Sequence, residues 1–252
     1  MTRTAEPCDD RDRALRRDAI LSIAIAAAVL GSLGVALSAR ELLGTAYPIK
    51  ALAALAVAAL PIAAGLAAHQ PHRRFGTANR VTLARLAAAC GLFALLGEPP
   101  DGLAWPVVAV ATLAAAADGL DGALARRHGT SSPFGARFDM ETDAWFILVL
   151  AALAWYWDKA GAWVLLCGLM RYLFVLAGWA QPWLAAPLAP SRRRQAVCVL
   201  QVATLIACLA PLTEPPWSAH IAMLGLAALA VSFALDVRRL ARGRRFPMDR
   251  PR

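Results

Sequence analysis

The stretch LAWPVVAVATLAAAADGLDGALARRHGTSSPFGARFDMETDAWFILVLAALAWY, residues 103–156, decides how the rest of the chain is read. It begins and ends in uncharged apolar sequence, and its middle carries Asp118, Asp121, Arg126, Arg127, Arg137, Asp139, Glu141 and Asp143. Each apolar half, taken to its charged border, approaches the about 20 residues that a bilayer-crossing helix needs. The charged middle is too short to fold alone. The stretch therefore predicts two antiparallel membrane helices joined by a short polar loop.

Six further runs of the same kind surround it, at residues 19–38, 48–68, 81–96, 161–180, 196–212 and 217–237. The composition agrees: 59% of the 252 residues are apolar, 17% are charged, and the mean hydropathy is +0.53. Those values exclude a disordered chain, a coiled coil and a small disulfide scaffold. The expected fold is all-α, a polytopic membrane bundle of eight helices. Its Ala and Gly content suits close helix packing in lipid. Pro61 and Pro106 read as helix shape. The five cysteines, Cys8, Cys90, Cys167, Cys198 and Cys208, have no C-x-x-C spacing and are given no role. The first run follows Glu6, Asp9, Asp10 and Asp12 and is about twice the length of a signal-peptide core, so it is read as a retained helix.

Charge gives orientation. With both termini inside, 21 of the 26 basic residues lie in inside segments, and only Arg40, Lys50 and Lys159 lie outside. Arg85 and Arg171 fall within spans. Trp155, Tyr156, Trp157 and Trp163 flank one outer loop, and Trp179 and Trp183 mark an inner one, as interfacial aromatics should. The net charge of +9 is thus accounted for by topology and anionic headgroups, and no nucleic-acid partner is expected. Only two of the basic residues are lysine, a bias that points to a GC-rich bacterial genome. The expected location is the bacterial inner (cytoplasmic) membrane, with both termini and the active site cytoplasmic.

Carboxylates within spans are costly and mark function. Asp118 and Asp121 are three apart and share one helix face; Asp139 and Asp143 are four apart and share another. Joined by a short loop, the two pairs can converge, and four clustered carboxylates need cations. An all-oxygen set selects hard ions such as Mg²⁺ or Mn²⁺, which grip phosphates and, in pairs, clamp both oxygens of a phosphoryl displacement. Gly119, Gly122, Ala123 and Ala125 keep one helix face bare for a bulky ligand, and Arg126 is placed to meet a phosphate. The residues by themselves predict a metal-dependent site for a phosphate-bearing substrate at the cytoplasmic leaflet.

The whole pattern, D-G-x-x-D-G-x-x-A-R, eight residues, then G-x-x-x-D-x-x-x-D, resembles the motif of the CDP-alcohol phosphatidyltransferases at every position. Upstream, Asn79-Arg-Val-Thr82-Leu-Ala-Arg85 is similar to the N-x-x-T-x-x-R segment that opens the family's first core helix. The resemblance implies a six-helix catalytic core over residues 69–242, two accessory transmembrane helices over 19–68, a cytoplasmic tail over 1–18 and a basic tail over 243–252. It implies that Asp118, Asp121, Asp139 and Asp143 bind two Mg²⁺ or Mn²⁺ ions, with Asp143 also the general base. Asn79, Thr82, Gly119, Gly122, Arg126, Ser132 and Gly135 are the implied contacts to the CDP donor. The implied reaction has an alcohol oxygen attack the lipid-side phosphorus of CDP-diacylglycerol and release CMP, in a membrane-embedded homodimer.

For the acceptor, Arg137, Arg171, Arg192, Arg193 and Arg194 could form a pocket for a phosphorylated alcohol such as glycerol-3-phosphate or an inositol phosphate. Phosphatidylglycerophosphate synthases usually show D-P-x-A-D-K where this chain has Asp139-Met-Glu-Thr-Asp143-Ala144, and inositol-phosphate enzymes usually carry Arg at the position of Ala144. A related enzyme would use a CDP-headgroup such as CDP-choline, with diacylglycerol as acceptor. A divalent-cation transporter is the reading from another class, but it wants carboxylates at mid-depth. At about 1.5 Å per residue from Leu103, Asp118 and Asp121 lie about 22 and 27 Å along their span, near the inner surface.

Plainer readings stand beside these. Asn79 and Thr82 would serve as caps of the third helix. Arg126 and the run from Arg192 would serve as topology anchors. Arg171 pairs with a carboxylate or faces the acceptor. Glu141 is solvated, and His69, His72 and His128 are loop residues.

Overall fold

The computed structural model describes residues 8–69, 72–128, 132–186 and 191–245, with the side chains of 8, 9, 11, 119–128 and 243–245 outside that set. Among these residues there is no strand, and the main elements are α1 (Cys8–Ala39), α2 (Tyr47–Gly65), α3 (Thr77–Phe93), α4 (Ala104–His128), α5 (Pro133–Tyr156), α6 (Leu166–Ala180), α7 (Arg192–Leu209) and α8 (Trp217–Arg245). A 3-10 turn at Leu66–His69 extends α2, and two others precede and follow α6. Each helix falls on one of the eight apolar runs. α1 begins well before its run and α8 ends well after its own, because apolarity marks where a helix enters lipid and charged residues continue it readily in water.

Four helices are long and apolar enough to cross a membrane by length and composition: Asp12–Ala39, Tyr47–His69, Ala162–Ala180 and Trp217–Arg242. Ala104–Asp118 is apolar but shorter. α3 falls below that standard by its length of 17 residues, and α5 and α7 because they carry the acidic turns of 139–143 and the arginines at 192–194. These polar residues follow from what the helices hold rather than from what they cross.

Two compact units divide the chain, Met1–Phe146 and Ile147–Arg252, and the division falls within α5. In the first, α1, α2, α3 and α4 pack side by side. α1 and α2 meet closely at Gly34, where a Cβ would lie 3.1 Å from Pro48 Cβ and 3.2 Å from its Cα. At one end Asp18 on α1 accepts the Phe75 backbone N–H at 2.8 Å and an Arg80 Nη2 hydrogen bond at 2.7 Å. It stands in for the cap that Gly76 (φ 86°), the residue before α3, does not supply. At the opposite end Lys50 Nζ donates to the Leu96 carbonyl at 2.7 Å, and Gly44 N–H donates to Glu98 Oε1 at 3.1 Å. Leu55, Ile62, Phe75, Leu83, Leu86 and Val107 fill the interior.

In the second unit α7 and α8 form the tightest pair, and Gly225 makes this possible: a Cβ there would stand 2.2 Å from Thr204 Oγ1. Gly168 lets α6 come against the backbone of α5, with Leu148 Cα 2.4 Å from where its Cβ would be. Lys159 Nζ donates to the Thr213 carbonyl at 2.8 Å, and Ser218 Oγ donates to the Lys159 carbonyl at 2.6 Å. Two of the three basic residues assigned to the outer side, Lys50 and Lys159, thus tie down carbonyls just past a neighbouring helix. Of the aromatics expected at the interfaces, Trp155, Tyr156 and Trp179 are exposed, whereas Trp157 is buried against the expectation, packed into the second unit.

Candidate active site

Three helices of the first unit build the site. Asp139 and Asp143 lie one turn apart on α5, and Asp118 lies on α4, so the i, i+4 spacing brings the α5 pair to one face as the sequence predicts. One oxygen from each of Asp118, Asp139 and Asp143 lies within 4.8 Å of the others. Gly119, Asp121, Gly122 and Arg126 continue α4, but their side chains lie outside the described residues.

At the centre of the three carboxylates is Arg85 from α3. Its side chain is 5% exposed, and Nη1 lies 2.7 Å from Asp118 Oδ1 and 2.7 Å from Asp139 Oδ1. Nη2 lies 2.5 Å from Asp143 Oδ1, and Nε donates to the Ala114 carbonyl at 3.2 Å. A planar guanidinium can hold three carboxylates at once because its five donors are fixed in a fork. Two hydrogen-bonded faces of one cation therefore set the spacing of the cluster. The carboxylates are 26–39% exposed, so the cluster opens toward solvent or substrate while its arginine is sealed from below.

The donor set fits a hard divalent cation. Oxygens sharing one Mg²⁺ at about 2.1 Å lie up to about 4.2 Å apart, so a slight closing of the observed cluster suffices. One guanidinium against three carboxylates leaves the cluster negative, which a divalent ion offsets.

A second group of predicted residues gathers beside α5. Ser132 precedes the helix, and its Oγ accepts the Gly135 backbone N–H at 3.0 Å, capping the first turn. Asn79 is buried and donates from Nδ2 to the Phe75 carbonyl at 2.6 Å. Its Oδ1 lies 3.1 Å from where a Cβ on Gly135 would be, and Ser132 Oγ lies 3.4 Å from the same point. Gly135 therefore has no side chain because Asn79 and Ser132 occupy the space. Thr82 is buried, and its hydroxyl donates to the Ala78 carbonyl at 3.2 Å. Neither Asn79 nor Thr82 caps α3, contrary to the local expectation: Asn79 turns back to Phe75 just before the helix, and Thr82 to the preceding turn of the helix itself.

His69 is the main correction. Its sequence context suggests a surface loop, yet it is 1% exposed and held on both ring nitrogens. Nε2 faces the Arg74 carbonyl at 3.1 Å, which can only accept, so Nε2 carries the proton. Nδ1 then accepts a hydrogen bond from the Ser132 hydroxyl at 2.6 Å. Phe134 meets the ring edge-on at 5.5 Å, within a cluster that includes Phe75 and Phe138. His72 stacks obliquely on His69 and is only half-buried.

The arginines proposed for an acceptor are divided between the two units. Arg137 is exposed on α5 in the first unit. Arg171 on α6 and Arg192, Arg193 and Arg194 on α7 belong to the second unit. There Arg193 donates to the Ser232 carbonyl at 2.7 Å and to its Oγ at 3.0 Å, and pairs with the buried Asp236. Arg194 approaches the same carboxylate at 3.8 Å, so these two bind α7 to α8. Arg192 is exposed.

Two residues of the site were missed in the sequence. Arg85 was visible as a charge in mid-span, which by cost alone marks function. His69 carried no signal, because its partners are distant in the chain.

The sequence model of the family described as CDP-alcohol phosphatidyltransferase matches residues 75–235, more than half of the chain. No curated protein and no solved structure gives a significant match.

Proposed function

Because the chain belongs to the CDP-alcohol phosphatidyltransferase family, we propose that it moves a phosphatidyl group from CDP-diacylglycerol to a small polar alcohol and releases CMP. The observation that carries this reading is the gathering of Asp118, Asp139 and Asp143 around the buried Arg85. Asp121, three residues after Asp118 in the same helix, is the fourth carboxylate of the proposed set.

The four aspartates would hold Mg²⁺ or Mn²⁺, two ions in the full set, which when bound neutralise the pyrophosphate of the donor and polarise its phosphorus. Asp143 takes the proton of the attacking hydroxyl. Arg85 orients that carboxylate and offsets its repulsion from Asp139 and Asp118, so that three like charges share one site. Asn79, Thr82, Gly119, Gly122, Arg126, Ser132 and Gly135 receive the CDP part, Arg126 as the cation for its leaving phosphate. His69 fixes Ser132, and through it the first turn of α5, in register for that contact.

The reading extends to topology: both termini and the active site face the cytoplasm, in a bacterial inner membrane, with the enzyme a homodimer. Residues 19–68 form the accessory helices and 69–242 the catalytic core. Acceptors with a phosphate, such as glycerol-3-phosphate or an inositol phosphate, suit the exposed Arg137; Arg171 and Arg192–Arg194 are the further candidates.

The test is CMP release by the purified protein with CDP-diacylglycerol, Mg²⁺ or Mn²⁺, and acceptors supplied one at a time. Acceptor-dependent release that disappears in Asp143→Asn supports the reaction and identifies the alcohol. Release that persists in Asp143→Asn removes the assigned base. CMP formed only from CDP-choline with diacylglycerol would reassign the donor.

A further inference from the structure

Two faces of α3 do different things. Asn79, Thr82 and Arg85 recur at three-residue steps on the side that is buried in the site. Arg80, Ala84, Ala87, Ala88 and Gly91 follow the helical period on the opposite side. This second side, with α1 and the start of α4, lines an open apolar cavity of about 950 Å³, at the upper end of ligand-pocket sizes. Leu21, Ile25, Val29 and Leu33 form its wall on α1, each more than half exposed. All of it lies within the first compact unit.

The charge of this groove is asymmetric. Arg80 stands at one end and Asp101 at the other, and the rest of the lining carries no charge. From Arg80 to Leu95 the α3 side runs about 22 Å, much of the about 30 Å hydrocarbon thickness of a bilayer. At the Arg80 end, the exposed Arg17 sits one turn before Leu21 on the same face of α1. Asp18 lies there too, but it is occupied by the Phe75 N–H and by one nitrogen of Arg80, whose side chain stays 52% exposed. The mouth is cationic, and the far end is acidic.

We propose that this groove binds one anionic phospholipid of the surrounding bilayer, with acyl chains along α1 and α3 and its phosphate at Arg80 and Arg17. An apolar channel of this length suits acyl chains rather than a soluble ligand, and charge complementarity sets which way the lipid points. The site is separate from the carboxylate cluster because it lies across α3 from it. A lipid held here is not the donor; it fastens the accessory helix α1 to the catalytic helices.

Native mass spectrometry of the delipidated full-length protein tests this, with phosphatidylglycerol or phosphatidylcholine of identical chains added back. The wild type should retain one phosphatidylglycerol per chain in preference to phosphatidylcholine. Arg80→Gln should reduce that preference about fivefold, the contribution of one arginine near a headgroup. The double variant Ala84→Leu with Ala88→Leu fills the floor with side chains that a bilayer tolerates, and should lose both lipids. Asp143→Asn should retain lipid as the wild type does, so this result is independent of the transferase reading. Equal retention of the two lipids by the wild type, or undiminished retention by the filled variant, overturns the proposal. So does a change from dimer to monomer in the filled variant with no lipid lost, which would assign the groove to a second copy of the chain.

Discussion

Arg85 Nη2 and Asp143 Oδ1 lie 2.5 Å apart, although 58 residues separate them in sequence and they belong to different helices. The pair joins the segment that opens the family match to the last aspartate of the motif. It makes the geometry of the acidic cluster depend on a cation that the motif itself does not contain.

Removing that cation should therefore affect both the fold and the chemistry. Arg85→Met leaves three carboxylates facing one another, and is expected to cost about 2–3 kcal/mol, the lower end for a broken buried pair because the carboxylates are partly exposed. Turnover should fall by about a hundredfold or more. Arg85→Lys should not restore it, since one ammonium nitrogen cannot span the positions that the separate nitrogens of the guanidinium fork reach. Denaturation in detergent and CMP-release rates measure the two effects separately.

Metal dependence should follow the same cluster. Chelation with EDTA is expected to abolish CMP release, and added Mn²⁺ or Mg²⁺ to restore it. Asp118→Asn and Asp139→Asn should each weaken Mn²⁺ binding about tenfold or more, read directly from the electron paramagnetic resonance of free Mn²⁺. Unchanged Mn²⁺ affinity in both variants would detach the cluster from metal binding.

The buried histidine should behave as a positioning residue. His69→Phe keeps the packing against Phe134 but leaves the Ser132 hydroxyl and the Arg74 carbonyl without their partner. The expected cost is about 1–3 kcal/mol of stability. The KM for the CDP donor should rise more than kcat falls, because the reacting atoms are untouched. An equal loss in kcat with no change in KM would argue against this role.

Glycine substitutions separate site effects from packing effects. Gly135→Ala sets a methyl 3.1 Å from Asn79 Oδ1, which a side chain can yield to, so about 1 kcal/mol and a raised donor KM are expected. Gly168→Ala sets a methyl 2.4 Å from Leu148 Cα, where only backbone can move. A loss of about 3 kcal/mol or more is expected there. Thermal unfolding of the two variants side by side checks the ordering.

Much of this protein is legible in its sequence, for a physical reason. A bilayer allows only helices across it unless a barrel closes, so the eight apolar runs translate almost directly into α1 to α8. Asp139 and Asp143 share a face because four residues make about one turn. What the runs did not reveal is where water-facing helix continues, as in the first turns of α1. The partners of single side chains were also hidden. His69 meets Ser132 across 63 residues, and Arg193 meets Asp236 across 43, contacts that no local spacing encodes. An arginine in apolar surroundings must find an anion, and sequence does not say whose.

Asp18 gives the molecule a border problem. The family match begins at residue 75, and the backbone N–H of Phe75 is satisfied by a carboxylate from α1, outside the matched region. The family match and the hydrogen bonding thus divide the chain in different places. A protein cut to the matched residues would leave Phe75 without the carboxylate of Asp18 and lose the grip on Arg80. α1 therefore completes the start of the matched segment, and a transplant of residues 75–235 into another protein would have to bring its own acid to that seam.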